Sequence, residues 1–159
     1  MYNHAPENYD CPICRVVQNH FTPTQPITRP EDVILQTPLA TAFISARWWP
    51  NNPGHVLVVP NEHFENIYDL PANYGAGIHT LAQKVALAFK EVYKCDGVST
   101  RQHNEGAGNQ EVWHYHLHVF PRYNNDDLYT RFWERELTTP LQRLPYAQKL
   151  RNYFSQTNT

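Results

Sequence analysis

The stretch Trp113-His114-Tyr115-His116-Leu117-His118-Val119-Phe120-Pro121 places a histidine at every second position and apolar or aromatic residues between. Alternate side chains of an extended strand leave the same face. Read this way, His114, His116 and His118 share one face. Tyr115, Leu117 and Val119 share the other, where a helix would cover them. Like-facing residues stand about 6.6–6.8 Å apart along a strand, so neighbouring imidazoles can serve adjacent tasks at one site. The residues alone leave three readings open. The histidines are structural, or two or three of them chelate a catalytic metal, or one attacks as a nucleophile while its neighbour moves a proton.

The loop before this strand reads Asn104-Glu105-Gly106-Ala107-Gly108-Asn109-Gln110. Glycines let a backbone approach an anion closely, and exposed amides can cradle phosphate. Asn104 and Gln110 add neutral donors. Joined to the histidine strand, the loop gathers phosphoryl donors, a nucleophile and an acid in one segment.

Further out, hydrophobic periodicity places the remaining elements. Cys11 to Asn19 reads as a short turn or helix. Residues 21–32 hold Pro23, Pro26 and Pro30 and read as an irregular connection. Val33–Gln36 and Leu39–Ser45 read as a strand pair, Trp48–Gly54 as a loop, and His55–Val59 as a buried strand closed by Pro60. Tyr74, Ile78, Leu81, Val85, Phe89 and Val92 recur every three or four residues and predict a long helix after Pro71, with Gly97 as its stop. Strands follow near 98–103 and 112–122. Leu128–Glu136 and Leu141–Phe154 both have helical character, and Pro145 fits only in the first turns of the second. The expected class is α+β: an antiparallel sheet of about five strands, one long helix across a face and a C-terminal helical segment.

Bulk properties narrow the functions. The 159 residues suit one domain. With 41% hydrophobic and 18% charged residues the composition is globular. A formal net charge of -2 argues against a general nucleic-acid binder. No apolar run approaches the ~20 residues of a membrane span, and residues 1–10 lack the apolar stretch of a signal peptide. A cytoplasmic protein is expected. Three cysteines, Cys11, Cys14 and Cys95, do not form a secreted disulfide framework. Cys11-Pro12-Ile13-Cys14 reads as a metal knuckle or a redox pair, and no thioredoxin-like pattern surrounds it.

Residues Asn104 to Arg122 resemble the signature of the histidine-triad (HIT) family: Asn, a Gly-rich turn, Gln, then alternating histidines ending in Pro-Arg. Pro50-Asn51-Asn52-Pro53-Gly54-His55-Val56-Leu57-Val58-Val59-Pro60, followed by His63, resembles the family's other landmark. The likeness covers about residues 11–122, leaving 123–159 as a C-terminal extension of a single HIT domain over 1–159. It implies a homodimer with a continuous sheet. It implies that His116 is the nucleophile and that His118 serves the phosphate and leaving group, with Asn104, Gly106, Gly108 and Gln110 around the substrate. It implies a structural zinc on Cys11, Cys14, His63 and His114, as in bacterial-type members; His55 is the alternative imidazole.

Two departures stand out. Arg47, or Ser45 if there is an insertion, falls where relatives bind ribose, and Arg cannot accept a hydrogen bond. Glu111 replaces a common Ser or Thr near the leaving group. A free carboxylate there would repel a polyphosphate and favour phosphoramidates, unless Arg47 swings in to neutralise the phosphates. Trp48, Trp49 and Trp113 could stack on a base, although packing roles are the commoner use.

The expected function is a nucleotide hydrolase or nucleotidyl transferase. It attacks the α-phosphate of a nucleoside phosphoramidate or dinucleoside polyphosphate through a nucleotidyl-histidine, with no organic cofactor and no catalytic magnesium. Alternatives are a metal-dependent enzyme that uses the histidine strand as ligands and a non-catalytic nucleotide-binding protein. The expected partners are a small nucleotide and a second copy of the chain, with no membrane and no general nucleic-acid binding.

Overall fold

The computed structural model describes residues 2–21 and 27–157. Part of the proline-rich connection, residues 22–26, lies outside them. The order is α1 (Pro12–Val17), β1 (Val33–Gln36), β2 (Ala40–Ile44), β3 (Arg47–Trp48), β4 (Val56–Pro60), α2 (Ala72–Ala88), β5 (Gly97–Gln102), β6 (Leu117–Arg122), β7 (Glu136–Leu137) and α3 (Pro140–Thr157). Five strands form one antiparallel sheet in the order β1-β2-β4-β6-β5, and β3 pairs with β7 in a separate ribbon. This is the expected α+β class.

Alternation divides the sheet into two chemically different faces. Ala40, Ala42 and Ile44 of β2, Val56 and Val58 of β4, and Leu117 and Val119 of β6 join one core with α2 and α3. The buried stripe of α2 is Tyr74, Ile78, Leu81, Ala82, Val85 and Ala88, continued by Phe89. Each large aliphatic side chain withdrawn there contributes about 1.5–3 kcal/mol. The opposite face carries Phe43 and Val59, covered in part by Ile13, Val16 and Val17 of α1. The rest of that face is the floor of a cleft.

The helix does not stop at Gly97. It runs on through a π turn at Phe89–Tyr93 and ends at Lys94, whose φ of 54° is left-handed. Lys90 Nζ then donates to the carbonyls of Cys95 (2.7 Å) and Asp96 (3.0 Å), so a lysine ties down the turn. Gly97 instead opens β5.

The helix expected over 128–136 is absent. Asn125 and Asp127 adopt φ of 64° and 54°, which a right-handed helix excludes. Asp126 accepts from the backbone N–H groups of Tyr123 (3.0 Å) and Leu128 (3.1 Å), from Asn52 Nδ2 and from the Arg122 guanidinium. This knot turns the chain so that Leu128 is buried beside Trp49 and Phe120. A single 3-10 turn at Phe132–Glu134 follows, then β7 pairs with β3, whose Trp48 falls in the stretch expected to be loop.

The final helix forms as expected, with Pro145 in its second turn. It is anchored by Arg143, which is 1% exposed. Arg143 donates from Nε and Nη2 to Asp32 (both 2.9 Å) and from Nη1 and Nη2 to the carbonyls of Thr138 and Ile27 (both 2.5 Å). Removing one partner of such a pair leaves an uncompensated buried charge, a loss of about 3–5 kcal/mol. Among the described residues, no helix is long and apolar enough to cross a membrane.

Candidate active site and metal-binding cluster

Strand register builds the floor of the cleft. Phe43 of β2 stands opposite Leu57 of β4, Leu57 opposite His118 of β6, and His118 opposite Arg101 of β5. One transverse row therefore passes from apolar to imidazole to guanidinium in steps of about 4.8 Å. The cleft above it is lined on the apolar side by Pro12, Ile13, Val16 and Phe43, and on the other by Trp49, Arg101, Phe132 and Arg135, with His55, His116 and His118 between.

Regular pairing of β6 begins at Leu117, so the triad is not one flat strand. His114 lies in a bend in which its N–H donates to the Val112 carbonyl (2.8 Å) and the Tyr115 N–H donates to the Phe64 carbonyl (2.6 Å). The ring of His114 turns to the cysteines, whereas His116 and His118 line the cleft with ring centroids 5.1 Å apart.

The tautomers follow from the partners. His116 Nδ1–H donates to the His114 carbonyl (2.7 Å), because a carbonyl cannot donate. Its Nε2 therefore carries the lone pair. His118 Nδ1 lies 3.2 Å from Nε2 of His55, which is 1% exposed, and His55 Nδ1 has no partner among the described residues. A buried orphan N–H is rarer than an under-used acceptor, which assigns the His55 proton to Nε2, donated to His118. His118 then keeps its proton on Nε2. Burial, then the positive charge of Arg101, pushes the His55 pKa down to about 3. Burial also lowers His116, and lowers His118 further with His116 and His55 beside it.

Cys11, Cys14, His63 and His114 converge, with their four ligand atoms within 4.8 Å of one another. Cys11 Sγ and Cys14 Sγ lie 3.4 and 3.5 Å from His114 Nδ1, and Cys14 Sγ lies 3.3 Å from His63 Nδ1. Bond lengths of 2.3 Å to sulfur and 2.0–2.1 Å to nitrogen in a tetrahedron put S and N about 3.5 Å apart. The set fits such an ion. His114 Nε2–H donates to the Pro60 carbonyl (3.2 Å), which leaves Nδ1 unprotonated toward the sulfurs, the form a ligand needs. Hydrogen bonding from Cys14 lowers the pKa of Cys11 and raises its own.

The other expected substrate residues divide. Arg47 and Glu111 both line the cleft, as does Ser45. Ser45 Oγ is engaged with the backbone of Arg47, donating to its carbonyl (3.2 Å) and accepting from its N–H (3.3 Å). Glu111 is not a free carboxylate, since Arg135 pairs with it. Asn104, Gly106, Gly108 and Gln110 are not on the cleft wall. Asn104 Oδ1 accepts from the Ile67 N–H (2.8 Å) and Gln102 Nε2 (2.9 Å). Buried Gln110 accepts from the Glu105 N–H (2.8 Å) and donates to the carbonyls of Glu65 (2.6 Å) and Val112 (3.0 Å). The loop's polar side chains hold its own shape. His103, fixed by donation from Nδ1 to the Gly108 carbonyl (2.5 Å), faces the cleft instead, with Asn109. Trp49 is a wall of the cleft, whereas Trp48 packs in the core on Tyr146 and Trp113 lies against His4.

His55, Arg101, His103, Phe132 and Arg135 also line the cleft, and the sequence motifs do not point to them as cleft residues. Arg101 had a faint signal as the one cation inside β5. Phe132 and Arg135 had none, because their stretch reads as helix.

A family model of the HIT domain matches residues 28–125, and the chain belongs to the HIT family. Among similar proteins, adenosine 5'-monophosphoramidase of Saccharomyces cerevisiae is 26% identical over 120 residues, covering 74% of this chain and 67% of the yeast protein. Bis(5'-adenosyl)-triphosphatase of Dictyostelium discoideum is 28% identical over 108 residues, covering 65% of this chain and 71% of the other. A crystal structure of a zinc-bound histidine triad protein from Mycobacterium smegmatis superposes with a TM-score of 0.74 at 28% identity, covering 94% of this chain and 96% of that one.

A buried neutral base has a plain consequence for stability. Between pH of about 6.5 and 3 the unfolded chain binds a proton at His55 that the folded chain excludes, so stability falls as pH drops through that window. Long-range nitrogen-proton NMR should show the His55 ring neutral, with its proton on Nε2, at every pH from 5 to 8. A titration of that ring near pH 6.5 would contradict the assignment.

Proposed function

We propose that this chain is a nucleotide hydrolase that attacks the α-phosphorus of a nucleotide with His116 Nε2, by way of a nucleotidyl-histidine. The observation that carries the reading is the bond from His116 Nδ1–H to the His114 carbonyl, which leaves Nε2 as a lone pair in the cleft beside a protonated His118 Nε2. The similarity to a phosphoramidase and a triphosphatase supports it. Nε2 bonds to phosphorus as the bond to the leaving group breaks, and His118 Nε2–H gives a hydrogen bond to the departing atom while keeping its proton. Water then attacks phosphorus as the bond to His116 Nε2 breaks, the proton shed by that water passes to the departed group or to solvent, and the nucleoside monophosphate is released. The apolar side at Ile13, Val16 and Phe43 suits a nucleobase. Transfer to an acceptor other than water would use the same intermediate.

The reading includes a structural zinc on Cys11, Cys14, His63 and His114. Such an ion would tie α1 to the triad and take no part in the chemical step. It also includes a homodimer: β5 ends the sheet with one edge unpaired by the described residues, where a second copy can extend it.

Two measurements test these assignments. His116→Asn should lower kcat/KM for adenosine 5'-phosphoramidate or diadenosine triphosphate at least about a thousandfold, with nucleotide binding retained. Near-normal turnover in that variant would remove His116 from the nucleophile's role. Elemental analysis of protein never exposed to chelator should find about one zinc per chain, lost in Cys14→Ser together with part of the thermal stability. Less than about a tenth of an equivalent would contradict the zinc site.

A further inference from the structure

Arg101 is built differently from the other arginines of this chain. Its guanidinium carbon lies over three aromatic rings, 5.0 Å from Trp49, 5.0 Å from Phe120 and 5.4 Å from Phe132. Its Nε is buried with no hydrogen-bond partner, and no carboxylate lies within ion-pair distance of it among the described residues. Arg122 and Arg143, by contrast, are each closed onto a buried aspartate.

Arg135 shares two of these rings, standing 6.0 Å from Trp49 and 5.5 Å from Phe132. Two guanidiniums beside the same aromatic pair repel one another. The one carboxylate on the cleft wall among the described residues, Glu111, pairs with Arg135 and is largely exposed. Burial and the neighbouring charge of Arg135 both disfavour the charged form of Arg101. The rings flank the guanidinium and cannot accept hydrogen bonds in its plane. A desolvated, pre-oriented cation with an unused donor is a receptor for an anion.

Its position says which anion. Arg101 is the register partner of His118, one interstrand step of about 4.8 Å beyond the imidazole that meets the leaving group, and on the side away from Phe43 and Leu57. With the nucleoside on the apolar side, as the proposed function has it, the row continues from base to α-phosphate to whatever departs. We infer that Arg101, with Arg135, is a specificity-determining subsite for an anionic leaving group, so that phosphoanhydrides such as dinucleoside polyphosphates are preferred over phosphoramidates. A departing phosphate oxygen would take the in-plane N–H groups of Arg101, and a departing neutral amine offers them nothing. The pairing of Glu111 with Arg135 removes the preference that a free carboxylate at that position would impose, and Arg101 sets the opposite one.

This inference rests on the reading of His116 as nucleophile, so its test has one arm that needs no turnover. Calorimetric titration of inorganic pyrophosphate should show binding to the native protein and at least tenfold weaker binding to Arg101→Met, about the loss expected of one charge-assisted hydrogen bond. In the second arm the ratio of kcat/KM for diadenosine triphosphate to that for adenosine 5'-phosphoramidate should fall about thirtyfold in Arg101→Met. Arg101→Lys, which keeps the charge but not the planar fork, should recover part of the ratio and confirms that the fold is intact. Unchanged pyrophosphate affinity, or an equal fall for both substrates, overturns the subsite. Pyrophosphate binding that depends on Arg101 in a protein that turns over neither substrate supports the subsite and overturns the hydrolase reading instead.

Discussion

His114 performs two tasks, and the site depends on both. Its ring lies between the Cys11 and Cys14 sulfurs and the Pro60 carbonyl, buried without solvent contact. Its own carbonyl takes the Nδ1 proton of His116. Rotation at His114 would release both. The bend that turns this ring away from the cleft is the same bend that aims its carbonyl at His116. A motif that reads as three equivalent side chains is one ring turned to the cysteines and two imidazoles that line the cleft.

The cleft then follows from strand pairing. Four strands bring Phe43, Leu57, His118 and Arg101 into one row, so chemical character changes across the sheet at fixed intervals. Proton placement is set by burial as much as by contact. His55 is kept neutral inside the protein and transmits a single proton position to His118. The C-terminal extension closes the far wall with Phe132 and Arg135, held in place by the Asp126 knot and the short β3–β7 ribbon. Residues outside the matched 28–125 segment therefore complete the site.

Much of this was legible in the sequence, and the remainder was hidden for definite reasons. The α2 stripe, the β1–β2 pair and the convergence of Cys11, Cys14, His63 and His114 were readable because periodicity and motif spacing are local or family-specific signals. Arg101 was not, because antiparallel register decides what stands beside His118 and no local pattern encodes register. Gln110 was misleading for the opposite reason: a polar residue beside a glycine loop suggests a ligand, yet its amide is consumed by the Glu105, Glu65 and Val112 backbone. The segment 128–136 has helical composition, but left-handed backbone at Asn125 and Asp127 and capping by Asp126 redirect it. The end of α2 was misplaced because the side chain of Lys90, reaching the carbonyls of Cys95 and Asp96, does what a glycine was expected to do.

On the proposed mechanism, the His114 backbone carbonyl selects which nitrogen of His116 attacks. Rapid mixing with labelled diadenosine triphosphate or adenosine 5'-phosphoramidate, quenching in base and peptide mapping by mass spectrometry reads this out directly, with phosphorus-nitrogen NMR of the trapped protein to distinguish the two ring positions. An acid-labile adenylyl group is expected on His116, bonded through Nε2. An adduct on Nδ1, on His118 or on His55 would contradict it.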